Sequence, residues 1–434
     1  MNRYAQMIRE LKTAAVMKRL TELYGHRDGM LVGQTGRYTR LLKRHEELIN
    51  AEGPVFMVSA PGRTEIGGNH TDHNRGKVLA AAVNLDTLAA VNGRGDQLVR
   101  IFSEGYPPME LSLENLAPQK KEEGTTAALI RGVAAKLKEL GYAVGGFDAT
   151  VTSTVRGGSG LSSSAAFEVM TCAIFDVLYN GWTIDAKLRA QISQFAENVY
   201  FGKPSGLMDQ MASSVGGLTY IDFKDEKPKI SEINYDFAAH GMAVVVINTG
   251  GGHDDLTPEY AAIPAEMRAV AGCFDESTLR RVRPEHFTQS IPRLREKLDS
   301  GHRDRAILRA AHYFAENARV EKEAEALKKD DLPEFLRTVI ESGYSSFTYL
   351  QNVYYRADRQ ELSLALMLAE NKLKGKGAWR VHGGGFAGTT LNFVPQKELK
   401  AFVRDMEAVF GAHSCDVLDI RPEGAAYIEL GTEQ

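Results

Sequence analysis

The stretch that most constrains this chain is a glycine- and serine-rich turn over residues 156–168. Residues 147–155, just before it, are rich in β-branched side chains and predict a strand. After it, apolar residues recur at steps of three and four from Ala166 to Val177, which predicts a buried helix face. Such a strand-to-helix turn can approach a phosphate closely and offer it unpaired N–H groups. A serine-capped helix after a loose turn explains the segment equally well.

Two familiar phosphate-binding motifs do not match this turn. A Walker A loop requires a Lys after its last glycine, and none follows Gly160. The third glycine of a dinucleotide-binding fingerprint is replaced by Ser163. The turn therefore needs support from other parts of the chain before it can be assigned a ligand.

Length and composition favour a soluble protein of two domains. The chain has 434 residues, 43% of them hydrophobic, which is enough for a large core. A total of 52 Lys and Arg against 56 Asp and Glu gives a net charge of −4, so composition supports neither a nucleic acid nor a membrane as partner. The cysteines are too far apart to indicate a disulfide framework or a zinc site, which fits the cytoplasm. They are Cys172, Cys273 and Cys415.

The order of predicted elements indicates the fold class. Strand-like runs come first and helices later, with a hairpin signal at residues 92–96. This pattern favours an α+β fold over a doubly wound parallel sheet. Charged residues crowd together with proline at 222–234 and predict a domain boundary. We therefore expect a helical extension over residues 1–50, a first domain over residues 51–225 and a second over residues 235–434.

A second polar segment follows the strand predicted at residues 55–60. Residues 61–77 combine Arg, Glu, Asn, His and Asp, and their glycines predict a loop. Polar loops are usually surface loops, but this mixture of donors and acceptors also suits several hydroxyls and a phosphate. A metal site built on His70 and His73 is a weaker hypothesis, because no third ligand lies at a usual spacing.

Two carboxylates near the turn indicate chemistry. Asp209 lies between the apolar Met208 and Met211 at a predicted helix start, where it is either a cap or a functional group. Glu197 precedes it by twelve residues. Phosphoryl transfer needs charge neutralisation and a positioned acceptor hydroxyl, so the two carboxylates suggest a metal ligand and a base.

Together these segments resemble the galactokinase branch of the GHMP small-molecule kinases. Residues 61–74 look like the family's first motif, residues 158–166 like its phosphate loop and residues 382–388 like its third motif. Residues 204–210 resemble the segment that carries the galactokinase catalytic aspartate. The resemblance covers roughly residues 53–434.

The resemblance implies the two-domain GHMP kinase fold, with the active site in the cleft between the domains. It implies an ATP-dependent sugar 1-kinase, with galactose as the leading substrate. Asp209 would take the proton from the anomeric hydroxyl or orient that hydroxyl, and Arg63 would stabilise the charge on the transferred phosphoryl group. Ser164 and Glu197 match the positions that hold Mg²⁺.

The resemblance also assigns the two ligand-binding surfaces. ATP would be held by the turn residues Gly157, Gly158, Ser159, Gly160, Leu161, Ser162, Ser163 and Ser164. The sugar would be contacted by Asn69, His70, Asp72, Gly206 and Tyr260. We expect small-molecule partners only and a monomer, with a weak homo-oligomer left open.

Three residues of the first motif depart from the galactokinase pattern. Asn69 stands where galactokinases carry Glu, Glu65 where they carry Asn, and His73 where they carry Tyr. An amide in place of a carboxylate changes which hydroxyls a pocket prefers. The alternatives are therefore the same chemistry on N-acetylgalactosamine, galacturonic acid or another pyranose, and a sugar-sensing regulatory protein.

Overall fold

The computed structural model describes residues 3–25, 27, 29–203, 205–251, 256–386 and 388–431. Pro204 and Ala387, which belong to two of the motifs above, lie outside the described residues. The strands are β1 (Val55–Gly67), β2 (Lys77–Gly93), β3 (Leu98–Ser103), β4 (Met109–Ser112), β5 (Phe147–Ser153), β6 (Leu218–Asp222), β7 (Lys229–Ile233), β8 (Met242–Asn248), β9 (Ala378–His382), β10 (Thr389–Pro395), β11 (Cys415–Leu418) and β12 (Ala426–Leu430). The helices are α1 (Arg3–Glu10), α2 (Ala14–Tyr24), α3 (Met30–Leu48), α4 (Thr126–Glu139), α5 (Ser163–Tyr179), α6 (Ala186–Phe195), α7 (Met208–Val215), α8 (Thr257–Gly272), α9 (Pro284–Gln289), α10 (Ile291–Lys297), α11 (Arg303–Lys328), α12 (Leu332–Ser345), α13 (Glu361–Leu373) and α14 (Leu399–Phe410).

The larger of two sheets carries most of the first half of the chain. Its strand order is β12-β1-β2-β5-β3-β4, with β6 paired to β2 and β7 to β6. Only the pairing of β3 with β5 is parallel among these. The predicted helix after the turn is α5, and its apolar stripe packs on this sheet. Phe175 of α5 meets Phe147 of β5 edge to face, with ring centroids 5.4 Å apart. This packing fixes where the glycine–serine turn lies.

The smaller sheet is antiparallel throughout, in the order β11-β8-β10-β9. Apolar residues of α13 and α14 pack on it, among them Leu373 and Phe402. A second core lies between the two sheets and joins Leu79 of β2 to Phe393 of β10 and Phe335 of α12. Strands and helices thus segregate as in an α+β fold, as predicted.

Two local predictions are wrong. The hairpin at residues 92–96 does not form, because β5 lies between β2 and β3 and takes the hydrogen bonds of both. The residues after Ala60 do not leave the sheet either. Residues 61–67 continue β1 through two register shifts, and the loop begins only after Gly67. Both errors arise because distant strands supply hydrogen-bond partners that local composition does not reveal.

The predicted N-terminal helical extension forms α1, α2 and α3. Their buried residues, including Tyr4 and Leu42, pack on Val55, Ala90 and Ile428 of the larger sheet. The last strand, β12, pairs with β1 and therefore joins the sheet built mainly by residues of the predicted first domain. The domain limits set from the sequence stay a prediction.

Among the residues that the model describes, no helix combines the length and apolar character needed to cross a membrane.

Candidate active site

An arginine–aspartate pair lies at the centre of the candidate site. Arg63 of β1 donates from Nε to Asp209 Oδ1 over 2.7 Å and from Nη2 to Asp209 Oδ2 over 2.8 Å. Its third nitrogen, Nη1, donates to the carbonyl oxygen of Gly160 in the glycine–serine turn. The Asp209 side chain, in the first turn of α7, is 31% exposed, whereas that of Arg63 is 9% exposed. The pair thus joins β1, the turn and α7 at a point that a ligand can reach.

The charges of this pair follow from its neighbours. Burial acts to raise the pKa of Asp209, but Arg63 and the Ser162 hydroxyl, which donates to Oδ2 over 2.6 Å, hold that pKa below its ordinary value. Burial acts to lower the pKa of Arg63, but the carboxylates of Asp209, Glu65 and Asp72 hold it above its ordinary value. Both side chains are therefore charged at neutral pH, and Asp209 can accept a hydrogen bond from a substrate hydroxyl.

The glycine–serine turn is not an ordinary capped helix start. Ser162 precedes α5 in a left-handed conformation, with φ at 58°, and its side chain makes no capping bond to the helix. The hydroxyl serves Asp209 instead. The capping interpretation is therefore wrong. The N–H groups of the first turn of α5 are left for another acceptor, which is consistent with a phosphate.

Close packing fixes the same turn against the smaller sheet. Gly160 has φ at 71°, and a Cβ there would lie 2.4 Å from Thr389 Oγ1 and 2.9 Å from His382 Nδ1. His382 in turn contacts β1, since the Glu65 N–H donates to its Nε2 over 3.2 Å. The turn is thus wedged between the two sheets, which is where the predicted cleft lies. The assignment of its eight residues to ATP stays a prediction.

Glu197 lies in the π-helical turn Ala196–Phe201, which follows α6. Its carboxylate accepts hydrogen bonds from Gln210 Nε2 over 2.8 Å, from Lys203 Nζ over 3.1 Å and from the Ser205 hydroxyl. The Lys203 side chain is 61% exposed, whereas Glu197 is 3% exposed. The buried Glu197 carboxylate is therefore held by donors, one of which is an exposed lysine that a metal ion could replace.

The residues around Glu197 fit a magnesium site. Ser164 and Glu168 lie one turn apart on α5, so they share a face of that helix. Gln210 links Glu168 to Glu197, because its Nε2 also donates to Glu168 Oε2 over 3.0 Å. Hydroxyl and carboxylate oxygens are ligands that Mg²⁺ prefers, usually with water and phosphate completing its coordination. Within the described residues, no three His, Cys, Asp or Glu side chains form a complete metal cage.

Four of the predicted sugar contacts connect the motifs around the candidate site. Gly206 packs so closely on Asp72 that a Cβ there would lie 1.9 Å from Asp72 Oδ2. His70 Nε2 donates to the carbonyl oxygen of Gly384 over 2.9 Å. The ring of Tyr260 covers the same glycine, with Cε1 2.5 Å from where a Cβ would be. These contacts join the first motif, the loop before α7 and the third motif into one surface.

Asn69 differs from the other predicted sugar contacts because it is completely buried. Its Nδ2 donates to the Gly383 carbonyl over 2.7 Å and to Glu65 Oε1 over 2.9 Å. Its Oδ1 accepts from Asn352 Nδ2 over 2.9 Å and from the Ser346 hydroxyl over 3.3 Å. A sugar could reach this amide only by breaking protein hydrogen bonds. Direct contact of Asn69 with a sugar stays a prediction, and the geometry favours a positioning role.

A buried histidine supports the loop that carries Asn69. His312 of α11 donates from Nε2 to the Asn69 carbonyl over 2.9 Å, and its Nδ1 accepts from the Ser345 hydroxyl over 2.9 Å. Burial lowers the pKa of His312 to about 4, although Glu316 acts in the opposite direction. The His312 ring is therefore neutral in the folded protein from neutral pH down to a pH near 4.

The low pKa of His312 predicts acid-dependent stability. Between pH 6.5 and about 4 the unfolded chain binds a proton at this ring and the folded chain does not, so the free energy of unfolding falls as pH decreases through that range. We expect the free energy of unfolding of His312→Gln to fall less over this pH range than that of the wild type. Denaturant unfolding at several pH values measures it, with His413→Gln at an exposed position as control. Equal losses in wild type and His312→Gln would contradict this.

Several residues of the site make contacts that the sequence-based interpretation does not include. Lys203 and Gln210 lie within or beside the segment that carries Asp209, so their spacing could have drawn attention to them. Ser162 was assigned to phosphate, yet its hydroxyl binds Asp209. Arg380 of β9 has no local signal, because it reaches Glu65 only through the pairing of distant strands. Sequence spacing can thus indicate site residues that are close along the chain, but not those that reach the site from a distant strand.

Comparison with known proteins supports the interpretation of these segments. Residues 43–92 match the galactokinase galactose-binding signature, and residues 128–217 match the N-terminal domain of GHMP kinases. A galactokinase from Streptomyces coelicolor is 33% identical over 381 residues, which cover 85% of this chain and 92% of that protein. A galactokinase from Glaesserella parasuis is 30% identical over 346 residues, or 79% of this chain and 86% of that protein.

Solved structures agree on the fold. Lactococcus lactis galactokinase complexed with galactose aligns with a TM-score of 0.78 at 23% identity and covers 90% of this chain and 99% of its own. A D-glycero-D-manno-heptose 1-phosphate kinase aligns with a TM-score of 0.58 at 16% identity and covers 86% of this chain and 98% of its own. The predicted GHMP kinase fold is therefore confirmed. With the sequence matches, these likenesses show that the chain belongs to the galactokinase family of GHMP kinases.

Proposed function

We propose that this protein is an ATP- and Mg²⁺-dependent galactose 1-kinase. The observation that carries the proposal is the Arg63–Asp209–Ser162 group, with the uncapped start of α5 beside it. An ionised carboxylate that a ligand can reach, an arginine and a set of free N–H groups are the parts that transfer of a phosphoryl group to a hydroxyl requires. The galactokinases among its relatives support galactose as the acceptor.

In the proposed reaction, the anomeric hydroxyl oxygen attacks the γ-phosphorus of ATP, and the bond from that phosphorus to the β–γ bridging oxygen breaks. ADP leaves with the bridging oxygen, while Asp209 accepts a hydrogen bond from the attacking hydroxyl, orients it and takes up its proton. Arg63 stabilises the negative charge that develops on the transferred group. Ser162 and Arg63 together hold Asp209 in one orientation, so positioning and electrostatics supply most of the rate.

The residues that would hold Mg²⁺ are Ser164 and Glu197. The ion, when bound, supplies positive charge to the ATP phosphates. Glu197 now accepts a hydrogen bond from Lys203, and this exposed lysine can leave without disturbing the core. Lys203 is therefore free to contact phosphate oxygens once the carboxylate has another partner.

The sugar is proposed to lie on the surface formed by His70, Asp72, Gly206 and Tyr260. The Asp72 carboxylate, held by the His73 N–H over 2.9 Å, is a natural acceptor for sugar hydroxyls. Substitution at Gly206 would drive a side chain into that carboxylate. His70 and Tyr260 are held on this surface by hydrogen bonds to the carbonyl oxygens of Gly384 and Gly385, so the surface can select among sugars that differ at one hydroxyl.

Purified protein with ATP, Mg²⁺ and a panel of free sugars tests the proposal. We expect ADP release with galactose above the rates with N-acetylgalactosamine, galacturonic acid and glucose, and loss of activity when Mg²⁺ is chelated. A higher rate with another sugar would identify that sugar as the substrate in place of galactose and would leave the proposed phosphoryl transfer unchanged. If the protein binds sugars but releases no ADP with any of them, the kinase proposal is contradicted and the sugar-sensing regulatory protein is favoured.

A further inference from the structure

Glu65 is a carboxylate at the cleft for which the proposed mechanism has no use. It lies in β1, two residues after Arg63, so both side chains project from the same face of the strand. Its side chain is 5% exposed. A carboxylate so nearly buried costs free energy unless its oxygens are bonded, which makes its partners informative.

One oxygen of Glu65 is firmly anchored. Oε1 accepts hydrogen bonds from Arg380 Nη2 over 2.7 Å and from Asn69 Nδ2 over 2.9 Å. Arg380 is itself completely buried, and its Nη1 donates to the Ile66 carbonyl over 2.7 Å. The carboxylate is therefore held in one orientation by groups that cannot move toward solvent.

The other oxygen, Oε2, has no such partner. It accepts no hydrogen bond from any residue of the described ranges, yet it is not among the fully enclosed polar atoms that lack a partner. It therefore lies where water or a ligand can reach it. An acceptor that is held rigidly and left open is typical of a position that reads a hydroxyl.

The charged neighbours of Glu65 include residues of the proposed active site. Its charge acts on Arg63, as does that of Asp72, which belongs to the proposed sugar surface. The Asn69 amide already has protein partners for its hydrogen bonds, which favours a positioning role over direct contact with the sugar. Its bond to Glu65 shows that the amide positions the carboxylate.

We infer that Glu65, held by Arg380 and Asn69, accepts a hydrogen bond from a hydroxyl of the sugar and sets sugar preference. The inference rests on the proposed function for its substrate class. It also accounts for the two departures in the first motif. Relative to the galactokinase pattern, the carboxylate stands at position 65 in place of 69 and the amide at 69 in place of 65, and in this chain the two side chains are joined by a hydrogen bond.

The variant Glu65→Gln tests this contact. Glutamine keeps one acceptor oxygen for Arg380 and Asn69 and replaces the open oxygen by an NH₂ donor. We expect kcat/KM for the preferred sugar to fall about 10- to 100-fold, the usual value of a hydrogen bond to a charged group. For the one monodeoxy analogue that lacks the hydroxyl in question, wild type and variant should be equally active. Calorimetric titration of the same sugars without ATP should show the same pattern.

Glu323→Gln is the matched control, because Glu323 is another buried glutamate that packs against β1 at Gly67. It should change kcat/KM for all analogues by one common factor. If Glu65→Gln does the same, Glu65 has only a structural role and the inference is overturned. Titration measures sugar binding without phosphoryl transfer. If the protein binds sugars and phosphorylates none of them, the proposed function is contradicted, but the titration still tests the role of Glu65.

A paired exchange covers the case in which Glu65→Gln fails to fold. Glu65→Asn combined with Asn69→Glu restores the usual galactokinase pair and keeps a hydrogen bond between the two positions. We expect the order of preference in the sugar panel to change, because the open carboxylate oxygen has moved. An unchanged order would remove both residues from sugar selection.

Discussion

Asp209→Asn is expected to lower kcat by about 10²- to 10⁴-fold, the range for loss of a positioned acid–base group. Asparagine offers one acceptor oxygen where Arg63 and Ser162 now bind two. The attacking hydroxyl then loses the carboxylate that orients it. Steady-state ADP release at saturating ATP and sugar measures the effect, and KM for the sugar should change far less than kcat.

Asp148→Asn is a matched control for this loss. Asp148 of β5 accepts hydrogen bonds from Arg94 over 2.9 Å and from Arg100 over 2.6 Å, so it is likewise an aspartate paired with arginine, although more buried than Asp209. Its substitution should lower stability and leave kcat unchanged. If Asp209→Asn behaved like this control, with full kcat in a less stable protein, Asp209 would have only a structural role.

Arg63→Lys is expected to lower kcat by about 10²- to 10³-fold, as for the loss of one preorganised donor at developing charge. Lysine keeps the positive charge but cannot donate in parallel to both oxygens of Asp209 and also to the Gly160 carbonyl. Asp209 should therefore lose its fixed orientation, and the turn should lose a contact. The rate of a single turnover with enzyme in excess over ATP measures the chemical step itself.

Arg94→Lys provides the corresponding control, because Arg94 also pairs with an aspartate through two nitrogens. It should leave the single-turnover rate unchanged. The double variant Arg63→Lys with Asp209→Asn should be little slower than the slower single variant, since the two residues act as a unit. Additive losses would show that Arg63 and Asp209 contribute independently, contrary to the geometry.

The features that sequence could predict are those fixed by local chemistry. The turn at residues 156–168 carries its own glycines, serines and flanking periodicity, so its position between β5 and α5 was predictable. Asp209 is indicated by its apolar neighbours at a predicted helix start, and Glu197 lies twelve residues before it. Within the described residues, Ser205 and Gln210, which lie on either side of Asp209 along the chain, both donate to Glu197.

The features that sequence could not predict depend on contacts across the cleft. Glu65 and Arg380 are more than three hundred residues apart along the chain, and no local pattern pairs them. The motif resemblance predicts that Asn69 contacts the sugar, whereas in the structure its amide is hydrogen-bonded to Gly383 and Asn352. The monomeric state, the cytoplasmic location and the ATP contacts of the turn stay predictions.

The pairing of β12 with β1 has a consequence for how the chain is made. The strand at the edge of the first sheet comes from the last residues of the chain, with Leu430 opposite Val55. During synthesis, the N-terminal half therefore leaves the ribosome with one edge of β1 unpaired, and such edges recruit other strands. The apolar residues of α1 to α3 pack against residues of β1, β2 and β12 together, so this core is complete only after β12 has been synthesised.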